Sequence, residues 1–362
     1  MLGVGRAVAG NGVGMSASSV QNITVSRADD WHVHVRQDDL LSRVGAWIAA
    51  GGVGRICAMP NTKPPIIRPD EALRYRDSVA EAVGPSVTVC VSLYLSDALT
   101  PSHIAEAARH DCLPAVKFYP RGVTTHSEAG SDSLRGFEPV LEAMEHHGLV
   151  LQVHGEALSN PEQGVDVLNA EARFLRELRR LHARYPGLRI VLEHVSSRAG
   201  VDCIRSLGDT VAATVTVHHL DLTIDDWAGN IHNYCKPVAK RYRDRAAIRE
   251  AVKTGHPRFF LGSDSAPHER GMKETACGCA GVFTSPWLMP YLADCLDRLG
   301  ALDRMESFAS RFGAAFYGRP IVDGTVTLER QSWTVPDSCA GIVPYRSGDQ
   351  LMWRMAGRMD NL

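Results

Sequence analysis

The sequence predicts an α/β chain folded as one (β/α)8 TIM barrel with a C-terminal extension. Three observations predict it. Eight short apolar, β-branched runs recur along the chain, and helix-like stretches fill the gaps between them. The runs are apolar throughout rather than alternating, as suits parallel strands covered on their outer faces. Polar residues stand at the C-terminal ends of six of them, the face on which such barrels carry their chemistry. A doubly wound open sheet is the alternative, but no glycine-rich dinucleotide fingerprint follows the first run.

The expected strands are Trp31–Val35, Arg55–Met59, Thr88–Leu95, Ala115–Tyr119, Leu149–His154, Arg189–Val195, Val211–Thr216 and Arg258–Leu261. Helical spacing of apolar residues marks Pro69–Val83, Pro101–Asp111, Leu134–His147, Glu171–Tyr185, Arg198–Leu207 and Asp244–Thr254. Two further helices, near Pro290–Leu299 and Arg304–Tyr317, are expected to pack outside the barrel. Residues 23–317 then form the barrel, and residues 318–362 an extension packed on it. Residues 1–22 are rich in Gly, Ser and Val and hold no acid, so they read as a disordered leader or a cloning remnant. A single arginine, Arg6, and no helical apolar stripe argue against an organelle-targeting segment, and Met15 offers an alternative start.

The 362 residues are a natural length for one barrel with insertions. A formal net charge of -2 points to neither nucleic acid nor an anionic membrane as partner. No apolar run approaches the ~18 residues of a membrane span. The nine cysteines are odd in number and scattered, which fits free thiols in a reducing, cytoplasmic compartment. Cys277 and Cys279 form a lone close pair, with no second pair to complete a zinc cluster.

The first strand reads D-W-H-V-H-V-R. Residues two apart on a strand face the same side, so His32, His34 and Arg36 project together. His154, His194 and Asp264 stand at other expected strand ends, and imidazoles with a carboxylate suit divalent zinc. Lys117 lies inside A-V-K-F-Y, where a buried ammonium is costly. It is either ion-paired or snorkelling, or it is a neutral amine that has taken up carbon dioxide. The resulting carbamate would be a bidentate anion able to bridge two metals.

With D-W-H-V-H-V-R, A-M-P-N-T, A-V-K-F-Y-P, Q-V-H-G-E, L-E-H-V and G-S-D-S-A-P-H in this order, the chain resembles the amidohydrolase superfamily. Within it, the nearest resemblance is to the single-function dihydroorotases of many bacteria and fungi. It runs from about Ile23 to Tyr317 and includes C-G-C-A-G. The resemblance implies two zinc ions per subunit. His32, His34 and Asp264 would hold one, His154 and His194 the other, with N6-carboxylated Lys117 bridging them. A hydroxide between the metals would be the nucleophile, with Asp264 as general base and then acid. Arg36, Asn61 and His268 would hold the substrate carboxylate, and backbone groups near Leu220, Ala280 and Gly281 would read the pyrimidine ring. Thr124 and Thr125, within the segment 121–133, match the family's mobile loop. The implied reaction is the reversible cyclisation of N-carbamoyl-L-aspartate to L-dihydroorotate, and the implied assembly is a homodimer.

This chain departs from the family at three places: V-H-H-L with an extra His218, Val282 after C-G-C-A-G, and the segment 221–231. These bear on ring recognition. One rival is a dihydropyrimidinase or hydantoinase using the same metals on substrates without a carboxylate. The other is a catalytically silent scaffold. Arg36, Asn61 and His268 speak against the first, and the complete set of six ligands against the second.

Overall fold

The computed structural model describes residues 21–357, so residues 1–20 of the expected leader lie outside the described residues. Strand β1 (Asn22–Ser26) begins inside the segment set aside as that leader. The barrel then runs β2 (Ala28–Val33), α1 (Asp38–Ala50), β3 (Val53–Ala58), α2 (Pro69–Val83), β4 (Thr88–Tyr94), α3 (Pro101–Ala107) and β5 (Ala115–Phe118). It continues with α4 (Glu138–His147), β6 (Val150–Val153), α5 (Ala170–Arg184), β7 (Ile190–Leu192), α6 (Arg198–Ser206) and β8 (Val211–Val215). Two short helices, α7 (Val217–Asp221) and α8 (Ile224–Trp227), come before α9 (Tyr242–Lys253) and β9 (Phe259–Leu261). Last come α10 (Arg270–Lys273), α11 (Leu288–Arg298), α12 (Phe312–Tyr317), β10 (Thr325–Thr334) and β11 (Gln350–Met355).

Strands β2 to β9 form one parallel sheet in sequence order, the arrangement expected of a (β/α)8 barrel. The seam between β9 and β2 is closed by backbone just beyond the strand ends. Asp264 N–H donates to the His32 carbonyl at 2.8 Å, and His34 N–H to the Ser265 carbonyl at 2.9 Å. Below them the buried Asp30 carboxylate accepts Ser263 N–H at 2.7 Å and Ser263 O–H at 2.5 Å. Three of the expected metal ligands are therefore fixed by the same hydrogen bonds that close the barrel.

The barrel interior is layered by strand alternation. Trp31, Cys57, Cys90, Ala115, Val150, Val191, Ala212 and Phe260 form one apolar floor, with a residue from each strand. Tyr317 of α12 plugs it from below, stacked on Trp31 with ring centroids 3.8 Å apart. Two residues further along, the same faces present Ser92, Lys117, Gln152, Glu193 and Thr214, all buried. Ser92 O–H donates to Gln152 Oε1 at 2.5 Å, and Gln152 Nε2–H to Tyr317 Oη at 2.9 Å. One more step up each strand brings the polar mouth.

Helix α2 covers the span expected from sequence. Pro69 occupies its first turn, where its missing N–H costs nothing. The Glu71 carboxylate accepts the N–H groups of Ile67 and Arg68 at 3.1 and 3.0 Å. Helix α1 was not expected. Its apolar face, Leu41, Val44 and Ile48, is interrupted by Gly45, which weakens a helical reading. Gly45 is there for contact: a Cβ would lie 2.6 Å from the Ala82 carbonyl oxygen of α2. The expected helix Arg304–Tyr317 is broken into a π-turn, Ser307–Arg311, followed by α12.

Beyond the barrel, β10 pairs with both β1 and β11 in an antiparallel three-stranded sheet. The extension is thus bound to the N-terminal strand, a pairing that periodicity in the extension alone does not show. Replacing Asp30 with Ala leaves two buried donors of the seam unpaired and should destabilise the protein by about 2–4 kcal/mol. A chemical denaturation midpoint lowered accordingly, with helix content retained, is the expected result.

Candidate active site

The site lies at the C-terminal mouth of the barrel, where each functional side chain sits at or just past a strand end. His32 is within β2, and His34 and Arg36 follow it. Arg36 lies past the strand end with φ of +64°, so strand alternation does not set its direction, yet it lines the same cleft as His32 and His34. His194 and Asp264 also adopt left-handed backbone, with φ of +44° and +46°. Non-glycine residues rarely occupy this region, and such strain gathers at functional sites. Here hydrogen bonds hold it in place: His194 N–H donates to Thr214 Oγ1 at 2.6 Å, and Asp264 N–H to His32 O.

The structure brings all six expected ligands together. His32 Nε2 and His34 Nε2 lie 3.4 and 3.1 Å from Asp264 Oδ1. The donor atoms of His32, His34 and Asp264 all fall within 4.8 Å of one another. The His32 and His194 rings are 5.0 Å apart, and those of His194 and His154 are 4.7 Å apart. Lys117 is fully buried on β5, with Nζ 5.1 Å from the Tyr119 ring centroid.

The electrostatics follow from burial. Burial alone would raise the Asp264 pKa, but the close His32 and His34 imidazoles outweigh it and hold the carboxylate well below its usual range. Burial pushes His34 down to about 4, against the opposing pull of Asp264. It pushes Lys117 down to about 8, with Glu193 and Asp264 opposing.

Two carboxylates that the sequence reading did not single out orient these imidazoles. Glu193 Oε2 is 2.8 Å from His32 Nδ1 and accepts Thr214 O–H at 2.5 Å. That leaves His32 Nε2 directed at Asp264. Glu156 Oε2 is 2.9 Å from His154 Nε2, which leaves Nδ1 as the free ring nitrogen. Their signal was in plain view: an acid inside the apolar L-E-H-V, and another two residues beyond His154. Tyr119 and Lys236, also passed over, line the cleft beside the ligands.

The residues expected to contact substrate fall into two groups. Arg36, Asn61, Thr124, Thr125, Ala280 and Gly281 line the cleft with the ligands. His268 stands behind Arg36, its Nε2 2.9 Å from Arg36 Nη2 and 3.0 Å from the Ala280 carbonyl. Arg36 Nε–H donates to the Pro267 carbonyl at 3.0 Å. Asn61 Nδ2–H donates to the Thr125 carbonyl at 2.8 Å, so the segment 121–133 lies against the cleft. Leu220 stands apart. It is buried on α7, and its carbonyl accepts Arg249 Nε–H at 2.6 Å. His218 is buried beside His219, with neither ring nitrogen hydrogen-bonded among the described residues.

The donor set fits divalent metal. His32 Nε2, His194 Nδ1 and Lys117 Nζ are buried and find no hydrogen-bond partner among the described residues. Such groups are costly unless something coordinates or neutralises them. His32 and His154 have a carboxylate behind them, and His194 a hydroxyl-supported backbone in a strained turn, the kind of outer support that metal ligands require.

No family model matches the chain. Individual proteins do. A dihydroorotase of Alkalilimnicola ehrlichii is 43% identical over 346 residues, covering 93% of this chain and 100% of its own. A dihydroorotase structure from Saccharomyces cerevisiae, in complex with 5-fluoroorotic acid, superposes with a TM-score of 0.88 at 38% identity. It covers 94% of this chain and 100% of that one. An L-hydantoinase (dihydropyrimidinase) from Arthrobacter aurescens shares the fold, with a TM-score of 0.74 at 20% identity over 93% of this chain and 85% of that one. The barrel and its polar mouth are those of a cyclic amide hydrolase. Within that class the chain belongs to the dihydroorotase family, whose place is in pyrimidine biosynthesis.

Glu193 gives a direct test of the ligand geometry. Replacing it with Gln weakens the hold on His32 and should lower metal affinity about 10- to 100-fold. Metal titration of the stripped protein measures this; unchanged affinity would separate Glu193 from the metal centre.

Proposed function

We propose that the protein is a two-zinc dihydroorotase that interconverts N-carbamoyl-L-aspartate and L-dihydroorotate. His32, His34 and Asp264 would hold one zinc, and His154 and His194 the other. Lys117, carboxylated on Nζ, would be shared between them. The observation that carries the reading is the convergence of His32 Nε2, His194 Nδ1 and Lys117 Nζ, buried and unpaired, around the Asp264 carboxylate. Carboxylation removes the cost of a buried ammonium and replaces it with an anionic ligand. Bound zinc supplies an activated water and polarises the scissile carbonyl.

The protein's own groups do the rest. Asp264 carries the proton to the ring nitrogen as the amide opens and takes it back on closure. Its two imidazole contacts keep it ionised and ready to accept that proton. Arg36 selects the substrate. Its protein partners are the neutral Pro267 carbonyl and the His268 ring, so its charge is left for a carboxylate at the cleft. His268 stays neutral behind it, pushed down to about 2 by burial and by Arg36 itself. The 5-fluoroorotic acid held by the yeast dihydroorotase carries such a carboxylate, in line with this clamp. Thr124 and Thr125, resting against Asn61, would act as a lid that excludes water from the reacting ring.

Hydantoinase-type substrates lack the carboxylate, and a guanidinium facing them would go unmatched. A cytoplasmic homodimer completes the reading. The nine scattered cysteines, six of them buried, support a reducing compartment, and no helix among the described residues is long and apolar enough to cross a membrane.

Two variants test the assignment on zinc-loaded protein. Asp264→Ala should lower kcat for L-dihydroorotate by at least about 10³-fold while the fold survives; a variant with substantial turnover would remove Asp264 from the proton path. Arg36→Ala should raise KM for L-dihydroorotate about 10- to 100-fold. Unchanged KM would contradict the clamp.

A further inference from the structure

Lys273, in the last turn of α10, has no place in the reading so far. Its side chain is buried, and its Nζ donates to the carbonyls of Gly281, Cys279 (3.2 Å) and Tyr234 (3.4 Å). An ammonium has three N–H donors. All three go to backbone oxygens, two of them in the short loop that carries Ala280 and Gly281.

That loop is held on every side. Gly281 N–H donates to the Tyr234 carbonyl at 2.9 Å, and Cys279 N–H to the Met272 carbonyl at 3.2 Å. The Cys279 carbonyl faces Lys273. Ala280 N–H, on the opposite edge of the same trans peptide plane, therefore points away from Lys273. His268 Nε2 can donate to the Ala280 carbonyl at 3.0 Å, and Arg36 Nη2 packs 2.9 Å from the same nitrogen, so the carbonyl fixes the ring against which Arg36 sits. Gly281 has φ of +152°, and a Cβ there would lie 2.6 Å from the Ala266 carbonyl oxygen and 2.9 Å from His268 Cδ2. The loop is thus pressed against the very residue that backs the carboxylate clamp.

We propose that Lys273 is a positioning residue. Its ammonium sets the peptide orientations of Cys279–Gly281 and, through the Ala280 carbonyl, the seat of His268 and Arg36. It governs how tightly the ring and its carboxylate are held without touching either. This rests on the reading in which Arg36, His268, Ala280 and Gly281 contact the substrate. Lys273 makes no contact with the expected metal ligands, so its effect falls on binding rather than on chemistry.

The test compares wild type, Lys273→Met and Lys273→Gln, each zinc-loaded, on L-dihydroorotate, with metal content and thermal melting measured alongside. Lys273→Met should raise KM about tenfold or more, with kcat within about threefold of wild type and metal content unchanged. Lys273→Gln keeps two N–H donors and should fall between the two. If the methionine variant fails to fold, the glutamine variant carries the comparison alone. A lower melting temperature with unchanged KM would make Lys273 merely structural and overturn the proposal. A loss of kcat together with metal would also overturn it. A wild type that neither turns over L-dihydroorotate nor binds orotate would instead overturn the functional reading on which the proposal rests.

Discussion

A closed barrel excludes bulk water from its axis, so each polar side chain that points inward must be satisfied by its neighbours. The rest of the molecule is arranged around that constraint. Asp30 meets Ser263 across the seam. Gln152 is bonded to Ser92 and Tyr317. Glu193 is bonded to His32 and Thr214. Lys117, on the same layer, is buried and finds no partner among the described residues. Under the proposed function, carboxylation and metal binding would meet this demand, and the imidazoles above it would share in the result.

Barrel closure and the proposed metal centre use the same residues. The backbone hydrogen bonds that join β9 to β2 run through His32, His34 and Asp264. These three expected ligands cannot drift apart without opening the barrel, which is the rigid support that the proposed metal centre needs. The left-handed backbone at Arg36, His194 and Asp264 is the local cost of that geometry. Arg36 lines the same cleft as His32 and His34, so expected ligands and clamp come from a single short stretch.

Much of this was legible in the sequence because strand alternation is a strong, local rule. It placed His32 and His34 together, and the eight apolar runs located every barrel strand to within a few residues. It failed where the chain leaves the strand. Arg36 follows a turn set by φ, which the alternation does not encode. Glu193 and Glu156 stood in view but were passed over, because a lone acid near a histidine reads as an ordinary neighbour until the fold shows what it touches. Helix α1 was obscured by Gly45, whose value is contact with α2 rather than local propensity. The β1–β10 pairing joins segments about 300 residues apart, and no local pattern carries such a contact. The loop held by Lys273 was invisible for the same reason: its bonds are all to backbone, which leaves no mark in residue type.

The measurement that bears most directly on the account is a paired assay of zinc-loaded protein. It would follow ring opening of L-dihydroorotate and of dihydrouracil in one buffer. The two rings share the scissile amide and differ in the carboxylate that Arg36 would hold. Turnover of dihydroorotate, with dihydrouracil left intact, is the predicted result. Turnover of dihydrouracil alone, or of both at similar rates, would contradict the carboxylate clamp and with it the assignment of substrate.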